Sequence, residues 1–345
     1  MSFGRFSVLY FAYFSIADEN RISIYRMDPE TGDLSPISDV AVDGTPGPLA
    51  VDSKQRYLYA GLRSTEQIAT FAINPGDGNL DFVGQTQIQS NPCYIALDRN
   101  DNFLLSAYYG AGGIAVHRIS EDKAVIADPV AWIETAEHAH CAMTDASNRY
   151  VFLPHTVAPN MISQFLFDPT TGQLTTNAVP SVHPPEGEGP RHYCHHPNQE
   201  IVYFSNEQGS SVTAYHLDPD NGSLSAFQTL SSLPDNFDGS NTCAQIHLEP
   251  SGQFLYVSNR GHDSIAVFTV DEGTGQLTTV GQQPTEPTPR TFNIDPTGNF
   301  LFAGGQGSGK LAGYRIDRET GQLVPLKTYD IGKTPMWVMI LEFND

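Results

Sequence analysis

The sequence predicts an all-β fold: a seven-bladed β-propeller of four-stranded antiparallel blades, with the ring closed by the N- and C-terminal strands sharing one blade. Three observations carry this expectation. A strand-like sextet recurs seven times along 345 residues, a turn rich in Asp, Pro, Thr and Gly follows it, and a strand–turn–strand pattern completes the repeat. The whole chain, 1–345, reads as one propeller domain.

The sextets occupy 22–27, 68–73, 114–119, 162–167, 212–217, 265–270 and 311–316, in steps of 46, 46, 48, 50, 53 and 46 residues. Each begins with an aliphatic residue and ends on an apolar one, and its fourth position is Tyr25, Phe71, His117, Phe165, Tyr215, Phe268 or Tyr314. The turns that follow, such as Asp28–Leu34, Asp168–Leu174 and Asp317–Leu323, hold the Asp and Gly residues that accept tight chain reversal. The third pattern is seen in Ile246–Ser258 and Phe292–Phe302. Each repeat thus offers about four strands and no helix, the arithmetic of a propeller blade. At the ends, Thr334–Ile340 has no partner strands after it and Val8–Tyr13 has none before it, so pairing the two closes the ring.

Composition narrows the function. With 18 Lys+Arg against 39 Asp+Glu the net charge is −21, and no basic block interrupts it, which argues against nucleic acid or an anionic membrane surface as a partner. Cys93, Cys141, Cys194 and Cys243 are too dispersed for a disulfide framework and read as reduced thiols. The apolar stretch Phe6–Ile16 is interrupted by Tyr10, Tyr13 and Ser15 and lacks a small-residue cleavage site, so the expected location is the cytoplasm. No apolar run reaches the roughly 20 residues of a membrane span.

A site on a repeat scaffold has to break its symmetry. With the repeats aligned on Asp52, Asp98, Asp145, His196, Glu249 and Asp295, the positions five residues upstream are Gly47, Cys93, His140, Arg191, Ala244 and Arg290, with Met336 as the seventh. Eleven residues downstream stand Arg63, Tyr109, Thr156, Glu207, Arg260 and Gln306. Antiparallel pairing puts the start of one strand and the end of the next at the same rim. That rim gathers His138, His140, Arg191, Glu207, Arg260 and Arg290, with His155, His192, Asn206, Asn259 and Gln306 nearby. The arginines imply an anionic small-molecule ligand, and screening over about 8 Å lets a local cationic pocket act despite the overall charge. The longer repeats place their extra residues at 183–190 and 233–241, which should border the same rim.

His138 and His140 alternate with Ala139, so on an extended strand both side chains face the same way and could share proton transfer. Cys141 then faces away, which disfavours a Cys–His nucleophilic pair. His195 and His196 point to opposite faces, and His196 takes the turn position filled elsewhere by Asp, so neither a metal nor a cofactor is expected. His247 reads as a core histidine.

The segments Gly189–His192, Ser205–Glu207, Asn241–His247, Ser258–Ile265 and Pro289–Gly298 resemble the seven-bladed propeller lactonase family, which includes bacterial 6-phosphogluconolactonases and fungal carboxy-cis,cis-muconate cyclases. The resemblance implies a lactonase acting on an anionic sugar lactone, 6-phosphogluconolactone first among them. It also implies active-site roles for a histidine of the 138–140 segment, Arg191, Glu207 and Arg260. Two other readings remain at this point: lactone closure by addition of a carboxylate to a muconate, and a non-catalytic propeller that binds a protein at its rim.

Overall fold

The computed structural model describes residues 8–344. Residues 1–7 and 345, which include the first positions of the Phe6–Ile16 stretch and both ends of the expected 1–345 domain, lie outside the described residues. Within them the chain forms seven antiparallel sheets in sequence order, six with four strands and one with three, and a single 3₁₀ turn at Ala17–Glu19. Blades 1 to 6 begin near residues 46, 92, 139, 190, 242 and 289, and blade 7 combines both chain ends. There Pro335–Asn344 is the inner strand and pairs antiparallel with Val8–Ile16, Tyr13 opposite Met339, as ring closure requires.

The strand pattern follows from blade stacking. Middle strands are covered on both faces, so Phe103–Tyr108 is buried at every position rather than at alternate ones. The outermost strands face solvent, and Leu323–Asp330 is exposed except at its first residue and Tyr329. The core is accordingly a set of layers between neighbouring blades, such as Tyr203, Val212 and Ala214 of blade 4 against Leu255, Val257 and Phe268 of blade 5. No helix among the described residues is long and apolar enough to cross a membrane.

Two turns recur around the ring. In the first, a buried carboxylate gathers the backbone of its own loop: Asp295 Oδ1 accepts hydrogen bonds from the N–H groups of Asn299 at 2.8 Å and Phe300 at 2.7 Å. At the equivalent position in blade 4, His196 Nδ1 accepts from the Asn198 N–H at 3.1 Å, so imidazole stands in for carboxylate as the alignment suggests. In the second turn, a glycine in the left-handed region rests on a ring of the preceding blade. Gly222 has φ of 74° and Gly321 has φ of 72°, and a Cβ on either would sit 2.1 Å from Tyr150 or 2.3 Å from Phe254. Glycine is needed there for both conformation and close approach.

Gly222→Ala is therefore expected to destabilise the fold by about 2–4 kcal/mol, left-handed strain adding to overpacking. Equilibrium denaturation in urea, with the midpoint shifting at constant slope, checks this. An unchanged midpoint would show that the inter-blade contact yields freely.

Candidate active site

The rim predicted from the repeat exists in the structure. Pro190 pairs with Asn206, Thr242 with Arg260 and Pro289 with Gly305, so the start of each inner strand lies beside the end of the second. At these starts the register slips. The residue left over is Cys93 between Pro92 and Tyr94, Arg191 between Pro190 and His192, and Arg290 between Pro289 and Thr291. A β-bulge of this kind re-aims a side chain, and here the bulged residues include the positions that break the repeat. It also removes strict alternation: Arg191 and His192, adjacent in sequence, both line one central pocket. Arg63, Cys93, His140, Arg290, Gln245 and Trp337 line it with them.

Beside the pocket, Glu207 is held between two arginines. Arg260 Nη2 lies 2.8 Å from Glu207 Oε1, and Arg191 Nε lies 3.0 Å from Glu207 Oε2. The guanidinium of Arg260 also donates to the Cys243 carbonyl at 2.8 Å. Arg191 Nε faces Glu207 off the ideal hydrogen-bonding direction, and Nη1 of this side chain, only 2% exposed, has no hydrogen-bond partner among the described residues. Burial raises the Glu207 pKa, but the charges of Arg191 and Arg260 outweigh it and the carboxyl is held below its usual range. Burial lowers Arg191 to about 9; Glu207 opposes that shift, while Arg260 and Arg290 add to it. Burial and the charges of Arg260 and Arg63 bring Arg290 to about 10. Arg191 and Arg290 are thus still charged at neutral pH, and they line the pocket together with Arg63.

His140 and His192 form a buried pair, with His192 Nε2 and His140 Nδ1 3.2 Å apart. Burial, and then the charge of Arg191, push both well below the ordinary histidine range. Both rings are neutral near pH 7, and one donates to the other. His192 is packed edge-on by Tyr94 at 5.1 Å, which fixes its plane.

The 138–140 segment departs from the extended strand expected of it. Blade 3 has three regular strands, and its innermost segment is joined only by the isolated bridges Ala139–His155 and Thr144–Val151. His138 adopts φ of 69°, so the same-face argument for His138 and His140 does not hold. His140 enters the pocket, whereas half-buried His138 sits at the rim with Nδ1 3.4 Å from the Ala158 carbonyl oxygen. Both rings nevertheless touch Tyr109, at centroid distances of 4.8 and 5.8 Å.

Three expected site residues lie inside the scaffold. His155 is fully buried, with Nδ1 3.0 Å from the Glu137 carbonyl oxygen and Nε2 3.4 Å from Ser163 Oγ. Asn206 is buried and donates to Ser211 and Thr213; Asn259 is buried and bonds Ser232, Asn241 and Ser264. The physical reason is pleating: each asparagine precedes a rim residue, Glu207 or Arg260, and so faces the blade interior. Gln306 remains at the rim, half-buried, with Nε2 3.6 Å from Met336 Sδ.

Among further residues, Arg63 is a third guanidinium on the pocket wall, held by a 2.9 Å bond from Nε to Asn91 Oδ1. The register shared with Glu207 and Arg260 carries the signal for it. Gln245 and Trp337 follow bulged positions, and no alternation pattern marks them. Cys93 donates toward the Ala139 carbonyl at 3.2 Å and its thiol is raised by burial to about 11, so it is protonated. Cys141 is buried in an aromatic cluster with Tyr193, away from His140, as its parity suggests. All four cysteines are free. His247 does not stand in an apolar core; it is half-buried, 3.4 Å from Gln245 Oε1, and lines a lower part of the channel. The loop at 183–189 borders the rim beside Thr156 and Gln208, enclosing a separate cavity of about 510 Å³.

Fold and pocket together define a propeller with an arginine-lined channel mouth. Comparison with known proteins makes this specific: residues 8–340 match the family described as "Lactonase, 7-bladed beta-propeller", and the chain belongs to that family. Among its relatives, a 6-phosphogluconolactonase of Pectobacterium carotovorum is 34% identical over 333 residues, covering 96% of this chain and 98% of the relative. A 6-phosphogluconolactonase of Yersinia pestis is 35% identical over 329 residues, covering 95% and 97%. In fold, the periplasmic gluconolactonase PpgL of Pseudomonas aeruginosa superposes with a TM-score of 0.89 at 23% identity, covering 97% and 99%.

The buried neutral histidines make stability pH-dependent. His195 and His247 are each lowered by burial to about 4, and His140 and His192 are also lowered. A folded pKa below the unfolded value means that the unfolded chain binds more protons, so stability is full above about pH 6.5 and falls as pH drops toward the folded pKa. Each such histidine contributes a loss of up to about 1.4 kcal/mol per pH unit inside that window. Unfolding temperature measured from about pH 7 to about pH 5 should fall, before most carboxylates titrate. A flat profile would contradict the assignment of these rings as neutral in the folded protein.

Proposed function

We propose that the chain hydrolyses an anionic sugar lactone, with 6-phosphogluconolactone as the substrate and 6-phosphogluconate as the product. The observation that carries this reading is the excess of guanidinium over carboxylate at the channel mouth, with Nη1 of buried Arg191 having no hydrogen-bond partner among the described residues. The names of the full-length relatives support the choice of substrate.

In this reading water adds to the lactone carbonyl carbon and its proton passes to a base. The tetrahedral oxyanion forms, the ring C–O bond breaks, and the leaving alkoxide takes up a proton to give the hydroxy acid. Arg191, Arg260 and Arg290 hold the substrate's anionic group and the oxyanion, because a fixed guanidinium offers its donors before charge develops. His140, neutral at pH 7, accepts and returns the proton, and its bond to His192 sets which nitrogen is available. Glu207, ionised and held between two arginines, is too weakly basic for that task and serves to position Arg191 and Arg260. His138 at the rim is within reach of a substrate entering beside Tyr109.

The same arginines would also hold the carboxylates of a carboxy-muconate, so the assay compares both substrates. Arg191→Ala, Arg260→Ala and His140→Ala should each lower kcat/KM for 6-phosphogluconolactone by about tenfold to a thousandfold, with circular dichroism unchanged. Glu207→Gln, which keeps shape but frees the arginines, should raise KM more than it lowers kcat. Wild-type turnover in all three alanine variants would overturn the reading, and faster cyclisation of carboxy-muconate than lactone hydrolysis would reassign the reaction.

A further inference from the structure

Past the arginine pocket the channel widens again toward the face where the inner strands end. A cavity of about 310 Å³ lies there, with Tyr94, Tyr193, Trp337, His195, His247 and Arg99 on its walls. It shares His192, Gln245 and Trp337 with the arginine pocket, so these three side chains form the partition between two chambers. Its volume reaches the size, roughly 300 Å³, at which pockets accommodate small ligands.

The lower chamber differs chemically from the upper one. Arg99 Nε donates to the Asp145 carbonyl and Nη2 to the Thr144 carbonyl, each at 3.0 Å, which anchors the guanidinium at the mouth. Its Nη1 makes no hydrogen bond among the described residues. The Asp145 carboxylate nearby is turned into its own loop, accepting from the N–H groups of Ser147, Arg149 and Tyr150, and the Asp98 carboxylate likewise accepts from Asn100, Asn102, Phe103 and Asn148. Deeper in, His195 Nε2 is buried without a hydrogen-bond partner, while His247 is bonded to Gln245. Aromatic rings supply much of the remaining wall: Tyr94 and Trp337 meet edge to face at 5.6 Å, and Tyr193 and His195 do so at 5.6 Å.

We propose that this chamber is a second ligand site, separate from the arginine pocket, for a small aromatic monocarboxylate bearing a ring hydroxyl. One guanidinium at the mouth matches a single carboxylate, in contrast to the several arginines of the upper pocket, which suit a more highly charged group. The ring of the ligand packs among Tyr94, Tyr193 and Trp337, where edge-to-face contacts favour an aromatic over a saturated ring. The hydroxyl meets the unpartnered imidazole of His195.

The test uses 4-hydroxybenzoate as the probe, with calorimetry on the intact protein and Trp337 emission in a Trp132→Phe background. Saturable binding of one probe per chain is expected, with a change in Trp337 emission. Affinity should fall at least tenfold in Arg99→Gln and in His195→Phe, which fills the chamber, and remain unchanged in Arg260→Ala. Cyclohexanecarboxylate should bind more weakly than 4-hydroxybenzoate. Absence of saturable binding to the wild-type protein at millimolar probe would overturn the proposal. So would binding lost in Arg260→Ala but kept in His195→Phe, which would place the probe among the upper arginines. Arg99→Gln and His195→Phe act on separate blades, so a folding failure in one leaves the other decisive.

Discussion

Ring closure is the constraint from which the site follows. Val8–Ile16 and Pro335–Asn344 are separated by almost the entire chain, yet they pair as adjacent strands of one blade. That pairing turns a linear array of repeats, each with two apolar faces, into a ring in which every face is covered by a neighbour. It also brings the starts of the inner strands around one axis. Arg63, Arg191 and Arg290 belong to three different blades, and only the closed ring can direct them to a common mouth.

Closure alone would give a channel lined by alternate residues of regular strands. The bulges at Cys93, Arg191 and Arg290 change this by inserting an extra residue where each inner strand begins. A long side chain at such a position leaves the pleat and reaches into the channel, while the next residue keeps its own place on the wall. The adjacency of Arg191 and His192 in one pocket is the result: a cation that polarises the site and a neutral ring that fixes His140 come from consecutive residues. Blade 3 reaches a similar end by giving up its regular inner strand, which frees His138 for a left-handed conformation at the rim.

These features explain what was legible in the sequence. Repeat spacing, the closing strands and the turn residues are periodic, and periodicity survives translation into structure almost unchanged. The register of Arg191, Glu207, Arg260 and Arg290 was legible for the same reason, since any position that breaks a repeat is conspicuous. What alternation could not give was side-chain direction at irregular backbone. It placed His138 with His140, although the backbone at His138 turns away from the strand. Proximity in sequence to the rim drew in Asn206, Asn259 and His155, whose side chains bond within the scaffold. Trp337 and Gln245 were hidden because they look like ordinary inner-strand residues, and His247 because its chamber forms only when blades 2 to 5 and blade 7 converge.

The charge balance of the arginine pocket supports the proposed reading. Glu207 contacts Arg191 and Arg260, whereas Arg63 and Arg290 bring further positive charge with no carboxylate in ion-pair contact among the described residues. Burial and then mutual repulsion act against such a cluster, and both lower the pKa of Arg191 and Arg290. A purely structural network would be expected to balance its charges, because an uncompensated buried ion destabilises a fold by several kcal/mol. The large inter-blade core can offset that cost, but it gives no reason to incur it. In the proposed reading an anion entering the mouth gives one, since it would supply negative charge and occupy Arg191 Nη1, which has no partner among the described residues. The chain as a whole carries a net charge of −21, so under that reading the attraction for a small anion is confined by screening to the pocket.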